Sequence, residues 1–149
     1  MTSEKVKRMM DACYLAKRVR EMLPELPPGI APSYIHYLDI IEQLEHKEIR
    51  VKISDISDLL GIPRPGVTRT VKEMEKKGLL KKFTSEEDAR MVYISITDEG
   101  KKLSDRYNTR YFSKLAECLE HISDEEADNM IHTIEKFYEV MSERRINIE

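Results

Sequence analysis

No run of about 18 apolar residues, the length a membrane-spanning helix needs, occurs in this chain of 149 residues. A membrane role is therefore not expected. The opening residues Met1, Thr2, Ser3, Glu4 and Lys5 lack the apolar core of an export signal, and the expected location is the cytoplasm. Cysteine is scarce. Only Cys13 and Cys118 occur, far apart, which points to two reduced thiols rather than a disulfide framework. The four histidines, His36, His46, His121 and His132, lack the paired helical spacing of metal ligands, so no metal is expected. A glycine-rich phosphate loop and any recognisable grouping of nucleophile and base are also missing. Neither a cofactor nor a catalytic role is expected. Internal repeats and low-complexity segments are lacking as well.

What is present is an uneven distribution of charge. The formal net charge is −3. From Arg50 to Lys82, however, nine Lys/Arg face four Asp/Glu, a local balance of +5 that leaves −8 on the other 116 residues. A basic segment sits inside an acidic molecule, so any affinity for a polyanion is confined to one surface. The length suits one domain with an appended dimerisation element.

Apolar spacing predicts the elements. Val6, Met9, Met10, Cys13, Ala16, Val19 and Leu23 recur at intervals of three and four, which marks an amphipathic helix over Ser3 to about Leu23. Pro24, Pro27, Pro28, Gly29 and Pro32 break the pattern. Ser33 is the expected cap of a second helix that turns Ile35, Leu38, Ile41 and Leu44 inward. Val51 to Ile53 reads as a short strand. Ser54 then caps a short helix whose buried stripe is Ile56, Leu59 and Leu60, and Gly61-Ile62-Pro63 turns the chain sharply. The next helix is predicted over 65–77, with Arg64 at its cap and Gly78 as a left-handed stop. Leu79 to Phe83 and Met91 to Ile96 are strand-like, and the polar loop 84–90 between them makes a projecting wing. Thr97 caps a long helix carrying Leu103, Tyr107, Tyr111, Leu115 and Leu119. Ser123 to Glu126 form a capping box for a last helix with Ala127, Met130, Ile131, Ile134, Phe137, Tyr138 and Met141 on one stripe. The expected fold is mainly α with a small β-hairpin wing: a winged helix-turn-helix over 33–100, with terminal helices in 1–32 and 101–149.

Projecting helix 65–77 at about 100° per residue places Val67, Val71 and Met74 in one arc. Pro65, Arg69, Lys72 and Lys76 lie opposite, with Thr68 on the flank, Arg64 at the leading end, and Glu73 and Glu75 assigned to the margins. A guanidinium can bond guanine O6 and N7 together, a hydroxyl suits base edge or phosphate, and lysine is a mobile charge. Arg64, Thr68 and Arg69 are the candidates for reading bases of double-stranded DNA; Lys72 and Lys76 are the candidates for phosphates. An ordinary solvated helix face would have the same composition. The preceding short helix and tight turn favour DNA, because they present a helix to the major groove.

Asp88-Ala89-Arg90-Met91-Val92-Tyr93-Ile94-Ser95-Ile96-Thr97-Asp98-Glu99-Gly100 resembles the wing signature of the MarR (multiple antibiotic resistance regulator) family. Gly66-Val67-Thr68-Arg69, followed by Met74-Glu75-Lys76-Lys77-Gly78-Leu79-Leu80, is similar to that family's recognition helix and its exit into the wing. The resemblance implies a transcriptional regulator, a repressor in the first instance, that reads a pseudo-palindrome as a homodimer. It also implies that Arg90 enters the minor groove, a role that a narrow, negative groove makes physically sound. Asp88 supports the wing, either by pairing with Arg90 across the tip or by orienting it toward DNA. Glu86 and Glu87 are expected to point away from the duplex.

Dimerisation through the chain's two ends is likewise what the resemblance implies. The residues assigned to that interface are Val6, Met10 and Cys13 at one end and Ile134, Phe137, Tyr138 and Met141 at the other; the competing reading is core within one subunit. A small aromatic effector is implied too, with Tyr34, His36 and Tyr37 as its pocket, and a thiol sensor at Cys13 is an alternative regulatory device. The competing functional class is a winged-helix module that uses its basic face to bind an acidic protein.

Overall fold

The structure, a computed structural model, describes residues 1–144. The last five residues of the predicted 101–149 region lie outside the described residues. Helix α1 (Ser3–Glu21) is capped by the Thr2 hydroxyl, which accepts the Lys5 N–H at 3.2 Å. The proline-rich segment then leads to α2 (Pro32–His46), α3 (Ile53–Leu60) and α4 (Arg64–Lys76). Strands β1 (Leu80–Thr84) and β2 (Val92–Ile96) pair antiparallel, with Leu80 opposite Ile96 and Thr84 opposite Val92. Next come α5 (Asp98–Ser104), a π-helical segment (Asp105–Arg110), α6 (Tyr111–Cys118) and α7 (Asp124–Glu143).

One hydrophobic core joins α2, α3, α4 and the hairpin. Leu38, Ile41, Ile56, Val67, Val71 and Met74 are wholly buried there, with Leu80, Ile94 and Ile96 closing it from the sheet. Burial of this apolar area drives the winged unit together. Thr97 locks the exit of the wing: its hydroxyl donates to the Gly78 carbonyl at 2.6 Å and accepts the Gly100 N–H at 3.1 Å, capping α5 as its position predicts. Gly78, with φ of +72°, supplies the left-handed stop after α4.

Several local expectations are corrected. Helix α2 is not capped by Ser33; Ala31 holds the cap position and Pro32 opens the first turn, where its missing N–H costs nothing. Ile35 is only half-buried, and Tyr34, Tyr37 and Ile40 join the core instead. Val51 makes a single bridge to Ile94, because Ile53 already begins α3. Lys52, not Ser54, precedes that helix, and its N–H donates to the Asp55 carboxylate at 2.8 Å. Leu59 is 60% exposed, since an eight-residue helix against α4 has room for only a narrow buried stripe. Arg64 belongs to the first turn of α4, with Pro63 at the cap.

The helix after Thr97 is not uniform. Its middle turn widens to π geometry beside α2, where the Ser104 hydroxyl donates to Glu42 and the Asn108 amide donates to the Ile35 carbonyl at 3.1 Å and to Ser104 Oγ at 3.0 Å. This polar seam fastens the helix to α2. Beyond it the chain leaves the core: α1, α6 and α7 bury no residue.

Candidate nucleic-acid interface

Helix α4 is held from behind by Val67, Val71 and Met74, each at 0% exposure. Rotation about its axis is thereby fixed. The opposite side forms an open depression lined by Arg64, Pro65, Thr68, Arg69, Lys72, Glu73 and Lys76. All six residues expected from the sequence to meet DNA on this helix are thus brought to one surface. Arg64, Pro65, Arg69, Lys72 and Lys76 are exposed, and Thr68 is half-buried. The Gly61-to-Pro63 turn delivers the leading end of α4 to the surface, secured by the Ser57 hydroxyl, which donates to the Ile62 carbonyl at 2.6 Å.

The wing is tied to this helix by charge. Lys82 on β1 lies 3.2 Å from Glu75, an ion pair that also turns Glu75 toward the hairpin. Asp88 acts on backbone: its carboxylate accepts the Arg90 N–H at 2.9 Å, a local turn that sets the tip. Among the described residues the Arg90 guanidinium forms no ion pair, with Asp88 or otherwise, and it stands exposed. Arg90 does not line the α4 depression; it is a separate cation on the wing. Glu86 and Glu87 border a different opening with Arg50 and Phe83. There the Arg50 guanidinium lies 5.8 Å from the centre of the Tyr93 ring, which packs against Phe83.

Glu73 is the lining residue that the sequence did not count among the contacts. It lines the same depression as the cations, and Tyr34 Oη donates to its carboxylate at 2.9 Å. The signal was available, for Glu73 projects only about 40° from Arg69 on a 3.6-residue helix. Hydrogen bonding to the Glu73 carboxylate, then burial, raises the Tyr34 phenol above its ordinary pKa. Tyr34 therefore stays a neutral donor throughout the physiological range.

Elsewhere the predicted groups divide. Tyr34 and Tyr37 are buried in the core while His36 on the same helix is exposed, so the three do not share one face. At the chain ends Val6, Met10, Ile134, Tyr138 and Met141 are exposed, and Cys13 and Phe137 are half-buried. Those stripes are not core within this subunit. Among the described residues no cluster of His, Cys, Asp and Glu has the arrangement of a metal site, and no helix is long and apolar enough to cross a membrane.

The chain resembles known proteins over this region and beyond it. The family model described as MarR family matches residues 29–91. The uncharacterized HTH-type transcriptional regulator YfiV of Bacillus subtilis (strain 168) is 34% identical over 76 residues, covering 51% of this chain and 48% of YfiV. The chain thus spans about half the length of that relative. The HTH-type transcriptional repressor YetL of the same organism is 24% identical over 128 residues, or 86% of this chain and 77% of YetL. Streptococcus pneumoniae FabT, solved in complex with DNA, superposes with a TM-score of 0.69 over 95% of this chain and 99% of that one, at 19% identity. At that identity the likeness establishes the fold. From α2 to the wing the chain is thus similar to the MarR family, and with FabT it shares the winged-helix fold.

Proposed function

We propose that this protein is a DNA-binding transcriptional regulator, a repressor that reads a pseudo-palindromic site as a homodimer. The observation that carries the reading is the α4 surface: Arg64, Thr68, Arg69, Lys72 and Lys76 on one open face, with the helix held from behind by three buried side chains. Arg64, Thr68 and Arg69 read base edges in the major groove, Lys72 and Lys76 meet phosphates, and Arg90 reaches the adjacent minor groove. The DNA complex of FabT and the repressor description of YetL support the same assignment.

Residues 33–100 form the reading unit in this proposal, and 1–32 with 101–149 form the dimerisation region. A two-fold pair presents two copies of α4 to one face of the duplex, as a pseudo-palindrome requires. A small ligand that shifts the spacing of the two α4 helices would release the site. Duplexes selected from a random pool are expected to contain inverted half-sites about one helical turn apart. Arg69→Ala and Arg90→Ala are expected to weaken that binding, and Lys72→Ala to weaken all sequences alike while reducing the salt slope by about one unit. Unchanged affinity in both arginine variants would remove the site assignment. A wild-type protein with no preference over random DNA would favour the protein-binding module instead.

A further inference from the structure

A carboxylate lines the surface just assigned to DNA. Glu73 lines the same depression as Arg69, Lys72 and Lys76, yet it forms no ion pair with any of them. Its bond is to a neutral group: Tyr34 Oη donates to Oε2 at 2.9 Å. Tyr34 is only 5% exposed and packs in the core with α2, so the phenol is a fixed support and not a mobile partner. The fold thus anchors a negative charge within a basic face without neutralising it.

The chemistry of a duplex narrows what such a group can do. An ionised carboxylate only accepts hydrogen bonds. Phosphates and deoxyribose offer it no donor, and phosphates repel it. In the major groove the base-edge donors are the exocyclic amines, cytosine N4 and adenine N6. Any favourable contact between Glu73 and DNA is therefore a contact that carries sequence information. One carboxylate oxygen is taken by Tyr34 and the other is left to accept.

We propose that Glu73 is a specificity-determining residue of the duplex interface, held by Tyr34 so that its free oxygen accepts a hydrogen bond from a cytosine or adenine exocyclic amine. Tyr34 is the positioning residue, acting through Glu73. The arrangement lowers total affinity, because the charge opposes phosphate, and raises discrimination, because only an amine offsets that repulsion. This inference rests on the DNA-binding reading given above.

The test uses the full-length chain and its Glu73→Ala, Glu73→Gln and Tyr34→Phe variants. A random duplex pool is selected with each protein, and affinities for the wild-type site, for each single-pair replacement in it and for random-sequence DNA are measured across a salt series. In Glu73→Ala, discrimination at one base pair is expected to fall roughly tenfold, while binding to random DNA tightens several-fold at low salt. Glu73→Gln keeps an acceptor oxygen but loses the charge, so it should tighten random binding and retain part of the discrimination. Tyr34→Phe keeps the charge but loses the anchor, so discrimination should fall with the salt slope unchanged. Glu73 is exposed and Phe is nearly isosteric with Tyr, and thermal melts confirm that each variant is folded before its binding is scored. If the variants select the same sites as wild type with the same single-pair preferences, the inference is overturned and the DNA-binding reading stands. A wild-type protein that selects no site above random DNA overturns both.

Discussion

Two residues show how much of the winged unit hangs on single contacts. Thr97 joins the end of α4 to the start of α5 through its bonds to Gly78 and Gly100. Thr97→Ala is expected to lower stability by about 1–2 kcal/mol in urea unfolding, from a lost cap and an unmet carbonyl. Gly100 is buried beneath the same turn, and a Cβ there would collide with the Leu79 carbonyl oxygen and the Ile96 side chain. Because backbone is the obstacle, Gly100→Ala should destabilise the protein by about 1–3 kcal/mol, read as a lowered midpoint at unchanged slope. Tyr34 adds a pH signature. Its phenol is raised above the ordinary value by Glu73, so the folded state holds that proton more tightly than the unfolded chain does. The resulting stabilisation is complete below the ordinary tyrosine pKa and is lost as pH rises through the raised value. The stability difference between wild type and Tyr34→Phe should be constant near neutrality and shrink in strong alkali.

At the scale of elements, the caps were visible where side chains make them. Ser123 at the start of α7 accepts the Glu126 N–H at 3.2 Å, and Glu126 accepts the Ser123 N–H at 2.9 Å, the reciprocal box that the residue spacing predicts. The Ser123 backbone bond, then its hydroxyl, holds the Glu126 carboxyl below the usual glutamate range. A depressed acid contributes above its unfolded pKa and ceases to contribute as pH falls through the folded value. Protection factors of amides in the first turn of α7, with rates corrected for intrinsic exchange at each pH, should therefore fall at acid pH in wild type, and Ser123→Ala should show the lowered protection already at neutral pH. Where backbone or packing sets the boundary, residue type was a poorer guide. Ser33 and Ser54 are good caps by composition, but Pro32 and the Lys52–Asp55 bond start those helices earlier. The π-helical turn had no local signal, since its polar seam joins Glu42 and the Ile35 carbonyl to Ser104 and Asn108 from far along the chain.

The whole molecule exposes 12195 Å² for a mass of 17.5 kDa. A compact monomer of that mass exposes about 7900 Å². The excess is what a chain with unpartnered terminal helices shows. Met10, Tyr14, Val19, Met130, Ile131, Ile134 and Met141 are among the exposed apolar side chains there. A second copy of the chain is the partner that covers them in the proposed homodimer. Sedimentation equilibrium should accordingly return twice the chain mass. Ile134→Lys, which places a charge in that face, should shift the mass toward 17.5 kDa and weaken duplex binding without loss of the winged core.

The buried arc of Val67, Val71 and Met74, the basic face opposite it, the Thr97 cap and the hairpin were all determined by the sequence itself. Each depends on short-range periodicity or on a side chain bonding its own neighbourhood. Tertiary structure alone decided that Leu59 is exposed, that Glu75 turns to Lys82, and that Tyr34 reaches across 39 positions to Glu73. Those outcomes depend on which helices meet and at what depth. A periodic pattern shows which side of a helix is buried; only the packing of α2 against α4 could place a phenol beneath a carboxylate on the opposite side.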